Sequence, residues 1–466
     1  MRYVSTRGHV SPASFEEVLF AGLAADGGLY VPDSWPAFDR ERLATLQSAS
    51  YQDVAAFVLE PFVGDDLPPD DFRRMIDDAY NPFSHQAIAP VKQLAAGEWV
   101  MELFHGPTLA FKDVALQLLG RLFEHFLARR ERAITIVGAT SGDTGSAAIA
   151  ATAGRERMRT VILHPKDRVS GVQRRQMTTV DDENIHNVAV EGSFDDCQAL
   201  VKAMFTDQDF RERHSLAAIN SINWCRIMAQ IVYYVSASLS LGGPWRRVSF
   251  SVPSGNFGDV YAGYAAAKMG LPIDQLIVAT NQNDILARFF QTGSYRAGEV
   301  TPTISPSMDI QVASNFERLL FDLVGRDGDA VTGLMATFAE EGGFEAGADR
   351  LALGRELFIA HRVSEEETRS TMAETLKATG EVVDPHTAVG LAAAKAASSE
   401  TEGPVVTLAT AHPAKFPDAV RDATGITPTL PPHLQDLMTK PERMAVLPND
   451  LVAVQSHIDE LASPTS

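Results

Sequence analysis

The chain has 466 residues, 45% hydrophobic and 21% charged, which excludes a disordered or fibrous protein and provides length for two or three packed domains. Its 40 basic against 60 acidic side chains leave a formal charge of −20, which disfavours nucleic acid and anionic membranes as general partners; any anionic ligand must be captured locally. The two cysteines, Cys197 and Cys225, are too few to staple a secreted scaffold, and no run approaches the ~18 apolar residues of a membrane span.

Residues 1–98 carry turn signals at Asp26-Gly27-Gly28, Pro32, Pro61, Pro68-Pro69 and Pro82, and read as a separate helical or mixed cap. The opening Met1-Arg2-Tyr3-Val4-Ser5-Thr6 has no apolar core of a leader, so a cytoplasmic protein is expected. From Lys112 onward an amphipathic helix presents Ala115, Leu118, Leu119, Leu122, Phe123 and Phe126 on one face. Short β-branched runs then alternate with helical patterns. The runs Ile134–Val137, Thr160–Leu163, Val188–Val190, Val248–Val252, Leu276–Ala279 and Val405–Ala409 predict buried parallel strands. Helices are predicted at Ser146–Ala153, Asp195–Phe205, Cys225–Leu239, Asp259–Met269 and Thr387–Ala397. This alternation predicts two doubly wound open-sheet α/β domains, spanning 99–243 and 244–466, with a seam near Leu241–Pro244. Residues 282–379 read as a mostly helical insertion in the second. No two histidines lie three or four residues apart and no cysteine pair is closely spaced, so no metal site is expected.

Lys112 stands out among the basic residues. It follows Leu109, Ala110 and Phe111 at a helix start, where the macrodipole and apolar neighbours both favour the neutral, nucleophilic amine. Such a lysine suits an imine with a carbonyl group. Two glycine-rich loops follow predicted strands and open helices. In the first, Gly138 to Ser146, the hydroxyls of Thr140, Ser141 and Thr144 with backbone N–H groups form an anion cradle; the bland alternative is a tight turn with capping hydroxyls. Asp143, an oddity in an anion site, is expected to turn away and cap the helix. The second loop, Ser254-Gly255-Asn256-Phe257-Gly258, can hold a dianionic phosphate by N–H groups alone. A phosphate cup together with a nucleophilic lysine points to pyridoxal phosphate.

Five stretches carry a resemblance: Glu102 to Asp113, Gly138 to Ala147, Ser254 to Asp259, Asp384-Pro385-His386-Thr387-Ala388 and Ala409-Thr410-Ala411-His412-Pro413-Ala414-Lys415-Phe416. With the openings Tyr3 to Gly8 and Gly22 to Pro32, they resemble the threonine synthases, in family order over most of the chain. The similarity is to the longer bacterial and fungal type, within the fold-type II pyridoxal-phosphate enzymes related to the tryptophan synthase β chain.

The resemblance implies conversion of O-phospho-L-homoserine and water to L-threonine and phosphate. It implies that Lys112 holds the cofactor and moves protons, that Gly255, Asn256, Phe257 and Gly258 hold the cofactor phosphate, and that Thr410 faces the ring nitrogen. Thr140, Ser141 and Thr144 are then expected to take the substrate carboxylate. Asn223 and Arg226 are expected at the substrate, Arg226 for its phosphate, with Lys166 and Arg174 as alternative cations; each could also be a surface ion pair. His105 and His386 lie in matching motifs without an assigned role. The alternative activity is a related phospho-lyase or hydroxy-amino-acid dehydratase, and the expected assembly is a monomer or homodimer.

Overall fold

All six β-branched runs become strands with parallel partners, most of them longer than the apolar run, in a computed structural model that describes residues 1–140 and 142–462. Their side chains are buried on both faces, as in Val248–Pro253, where every residue is buried, and this is why they read as continuous apolar runs. The predicted helices also form, each within a few residues of its expected ends. The chain divides into two compact units, 1–115 with 221–428 and 116–220 with 429–466.

The first unit is built on a six-stranded sheet in the order Phe358–Arg362, Ile273–Thr280, Val248–Pro253, Val405–Ala409, Glu98–Glu102, Val91–Ala95. Neighbours are parallel except for the last hairpin. The expected boundary at residue 99 is therefore displaced: Glu98–Glu102 pairs with Val405–Ala409 and belongs to this sheet. The N-terminal segment belongs to the same unit because buried Arg318 ties it in, donating from Nε to Tyr30 O (3.0 Å) and from Nη2 to Ile222 O (2.6 Å). The expected seam at Leu241–Pro244 moves to residue 220. Helix Trp224–Ser240, apolar nearly all round, packs against helices Gly258–Lys268 and Tyr51–Val63 of this unit. The insertion at 282–379 is mostly helical as expected, but Phe358–Arg362 is an edge strand of the main sheet. Its alternating burial and its closing His361-Arg362 hid it from a search for continuous apolar runs.

The second unit carries a five-stranded sheet in the order Ala445–Pro448, Ile185–Glu191, Met158–Pro165, Ile134–Ala139, Leu216–Ala217. Its C-terminal part differs from the expected division. Ala445–Pro448 runs parallel to Ile185–Glu191, and Val454 and Ile458 of the last helix enter the core formed by Val188, Val190, Cys197 and Met204. As an edge strand with alternate residues exposed, Ala445–Pro448 lacks the apolar density that marks its neighbours.

Candidate active site

Lys112 is the first residue of helix Lys112–Arg129, and its side chain is buried. The segment before it is laced to the end of strand Val405–Ala409. Leu103 N–H donates to Ala409 O (3.0 Å), Phe111 N–H to Thr410 O (2.9 Å) and His412 N–H to Leu109 O (3.0 Å). The turn into the helix is held by Asp113, whose two oxygens accept from the N–H and hydroxyl of Thr108, both at 2.7 Å. Gly106 is obligatory here, since a Cβ would lie 2.4 Å from that of Asp113. Burial pushes the Asp113 carboxyl up to about 6, against the Thr108 bonds and the charge of Lys415. Lys415, fully buried, donates to Thr108 O at 2.6 Å. The sequence motifs around Lys112 and Lys415 thus meet to set one turn.

The second glycine-rich loop leads into helix Gly258–Lys268 through Phe257, whose φ of 62° is left-handed. For a phenylalanine that conformation costs on the order of 1 to 3 kcal/mol, and the ring offsets it by burying itself among Phe290, Phe316 and Phe358. Among the described residues the N–H groups of Gly255, Asn256, Phe257 and Gly258 have no protein acceptor. Successive free donors at a helix head, with no acidic side chain among these four residues, fit a phosphate dianion and so fit pyridoxal phosphate. The carbonyl of Asn256 is fixed by Asn315, through its N–H (3.1 Å) and Nδ2 (3.2 Å). Gly255 also makes room for protein. Its Cβ position faces protein, 2.9 Å from Ile310 Cδ1 and 3.0 Å from Ser307 O, so the glycine lets a neighbouring segment approach.

Asp259, next in the chain, is fully enclosed. Its Oδ1 accepts from Tyr233 and from Tyr234 (2.9 Å), while Oδ2 has no hydrogen-bond partner among the described residues. Burial pushes its carboxyl up to about 6, against the tyrosines and the charge of Lys112. Sequence reasoning passed over this group, although an acid in the first turn after the loop was visible.

The three candidate cations separate clearly. Lys166 is exposed and pairs with Glu191 (3.0 Å); Arg174 forms a fork on Glu442 at 2.9 and 3.0 Å. Arg226 is 4% exposed, and its Nε and Nη1 have no partner among the described residues. Burial pushes its guanidinium down to about 10, so it stays charged at neutral pH. It lies in the first turn of Trp224–Ser240, and the adjacent Ile227 reaches within 3.4 Å of the Cβ position of Gly258. Asn223 is committed to that helix start: Oδ1 accepts from Cys225 N–H and Nδ2 donates to Leu19 O, both at 2.9 Å.

In the first loop Thr140 Oγ1 accepts the N–H groups of Gly142 and Gly145, both at 3.0 Å. Thr140 thus does the capping expected of Asp143, whose Oδ1 instead accepts from Gln173 Nε2 at 2.8 Å. Helix Asp143–Thr152 begins after Gly142, which has no side chain to cap it. Thr144 is half-buried, and Ser141 lies outside the described residues. Thr410 is buried beside the segment leading to Lys112. His105 pairs with Glu102 (2.7 Å), and His386 is buried against Asp384 (2.7 Å). Cys197 and Cys225 are buried free thiols.

Comparison with known proteins accounts for nearly the whole chain. Residues 2–80 match the model for the threonine synthase N terminus, 85–347 that for pyridoxal-phosphate-dependent enzymes, and 387–458 that for the threonine synthase C-terminal part. The threonine synthase of Pseudomonas aeruginosa is 54% identical, covering 99% of this chain and 98% of its own. That of Saccharomyces cerevisiae is 41% identical, covering 98% and 97%. The crystal structure of pyridoxal-phosphate-bound threonine synthase from Brucella melitensis is 52% identical and superposes with a TM-score of 0.97 over 99% of each chain. A buried lysine at a helix head, a loop of bare N–H groups that fits a phosphate and likeness along the full length converge: the chain belongs to the threonine synthase family of pyridoxal-phosphate-dependent lyases.

Proposed function

We propose that this enzyme converts O-phospho-L-homoserine and water to L-threonine and phosphate. The observation that carries the substrate assignment is the presence of two anion holders of different kinds in one unit. The N–H cup at Gly255 to Gly258 serves the cofactor, and the buried guanidinium of Arg226, unpaired at two nitrogens, serves a second phosphate. A hydroxy-amino-acid substrate would need only the first.

When bound, pyridoxal phosphate supplies an aldehyde that couples to amines and a ring that accepts the electron pair left at a neighbouring carbon. Lys112 would hold it, and its amine would be the group that removes and returns protons at Cα and Cβ of the substrate. Asp259, whose carboxyl is drawn down by the charge of Lys112, would offset the ammonium that forms when the lysine takes a proton. The Thr410 hydroxyl would serve the ring nitrogen and, unlike a carboxylate, would not favour its protonation. Asn223 contributes by fixing the helix start that carries Arg226. The hydroxyls of Thr140, Ser141 and Thr144 would take the substrate carboxylate. Arg226 would hold the departing γ-phosphate.

The enzyme works in the cytoplasm as a monomer or homodimer in this reading, which the free thiols fit. No helix among the described residues is long and apolar enough to cross a membrane. Incubation with O-phospho-L-homoserine tests the reaction: threonine and phosphate in equal amounts are expected. Release of phosphate with a 2-oxo acid instead of threonine would identify a phospho-lyase.

A further inference from the structure

The segment from Thr301 to Gln311 forms a wall against the cofactor-phosphate loop. At the Cβ position of Gly255, Ile310 Cδ1 is 2.9 Å away, Ser307 O 3.0 Å and Met308 Cα 3.3 Å. Any movement of this wall is felt by the loop. Much of the wall is pinned by a polar lock. Asn281 Nδ2 donates to Thr303 Oγ1 (2.9 Å) and Asp309 Oδ1 (2.8 Å), Asn283 Nδ2 to Thr301 O (2.8 Å), and Thr303 N–H to Asp309 Oδ2 (2.8 Å). The stretch that touches Gly255, which includes Asp309, has a second anchor. The N–H of Ser307 donates to Nε2 of His386 at 3.3 Å.

His386 is 3% exposed and its neighbour Asp384 is fully buried. A backbone N–H can only donate, so Nε2 presents its lone pair and the ring proton sits on Nδ1. That nitrogen lies 2.7 Å from Asp384 Oδ2, which accepts the proton. Asp384 also accepts the N–H groups of His386 (3.0 Å) and Thr387 (3.1 Å) and the Thr387 hydroxyl, so its carboxylate is fixed at both oxygens. Phe416 packs against the ring with centroids 4.8 Å apart, and Met308 is buried in the core with Val389 of the same helix as His386.

We propose that the Asp384–His386 pair is a positioning device for the cofactor phosphate: it selects one tautomer and one ring orientation, and through Ser307 sets the wall on which Gly255 rests. This inference rests on reading Gly255 to Gly258 as the phosphate cup. His386 touches neither cofactor nor substrate in this role.

Two amide replacements separate the ends of the ring, since the asparagine amide occupies the place of Nδ1 and the glutamine amide that of Nε2. His386→Asn keeps a partner for Asp384 and loses Ser307; His386→Gln keeps an acceptor for Ser307. Pyridoxal phosphate dissociation constants would be measured by equilibrium dialysis on the wild type and both variants, with the 31P shift of bound cofactor. We expect affinity to fall about tenfold in His386→Asn, the equivalent of one hydrogen bond, with a displaced 31P signal, and His386→Gln to stay within about twofold of wild type. Wild-type binding by His386→Asn, or equal weakening of both variants, overturns the proposal. Absence of cofactor binding by the wild type would instead overturn the reading of the cup.

Discussion

The backbone N–H of Phe111 donates to the carbonyl of Thr410 at 2.9 Å, so the residue preceding Lys112 is bonded to the residue whose hydroxyl is assigned to the cofactor ring. Two positions 299 residues apart in sequence are thereby placed by one hydrogen bond. The backbone, rather than the lysine side chain, holds this geometry. Lys112→Ala is therefore expected to leave the circular dichroism spectrum intact while turnover falls by about 10³-fold or more, the scale of lost proton transfer. Phosphate release and the visible absorbance of the cofactor check it; near-normal turnover would remove Lys112 from the mechanism.

Gly255→Ala places a methyl group against Ile310, Ser307 and Met308. The wall is locked, so the loop must give way, and its N–H groups should lose their aim. Cofactor affinity is expected to drop by a factor of about ten or more, one charge-assisted hydrogen bond's worth. Unchanged affinity would mean that the wall yields.

Arg226→Met should move two properties in opposite directions. Removing a buried guanidinium with two unpaired nitrogens is expected to raise the thermal midpoint of the apo protein, by on the order of 1 kcal/mol in stability. Inhibition by free phosphate should weaken by about 1.5 to 3 kcal/mol. A drop in stability with phosphate inhibition intact would show Arg226 to be structural.

Asp259 gives a pH prediction. Its folded carboxyl is raised from 3.8 to about 6, so in that window the folded chain keeps a proton that the unfolded chain releases. The group's contribution to stability is present at low pH and is lost as pH rises through about 6. Asp259→Asn lacks this titration. Relative to wild type, the variant should gain on the order of 2 to 3 kcal/mol between pH 4 and pH 7, read by denaturant unfolding at each pH. A constant difference would show that the carboxyl does not titrate in this range.

What could be read in the sequence was what chain-local chemistry dictates. A lysine at a helix start and glycine loops after strands have local signatures, and both stand where they were expected. Asn223 also had one: an asparagine before Trp224-Cys225-Arg226 is an ordinary helix cap, and it caps that helix. The supports of the site were hidden because their partners are remote. Asn315 holds Asn256 across 59 residues, and Lys415 holds Thr108 across 307. No periodicity encodes such pairs. The domain limits were misplaced for the same reason, since the strands that move between domains, Glu98–Glu102 and Ala445–Pro448, take their places from partners far away in the chain.

The interleaving of the two sheets also orders events during synthesis. The hairpin at residues 91–102 emerges early, yet the strand that covers its inner edge, Val405–Ala409, follows about 300 residues later. The second sheet waits for Ala445–Pro448 to protect Ile185–Glu191. Most of the polypeptide must therefore leave the ribosome before either sheet is complete, and unpaired edges persist for tens of seconds at ordinary translation rates of about 5 to 20 residues per second. Such a nascent chain is a natural client for chaperones, and its yield should depend on how long those edges are kept from one another.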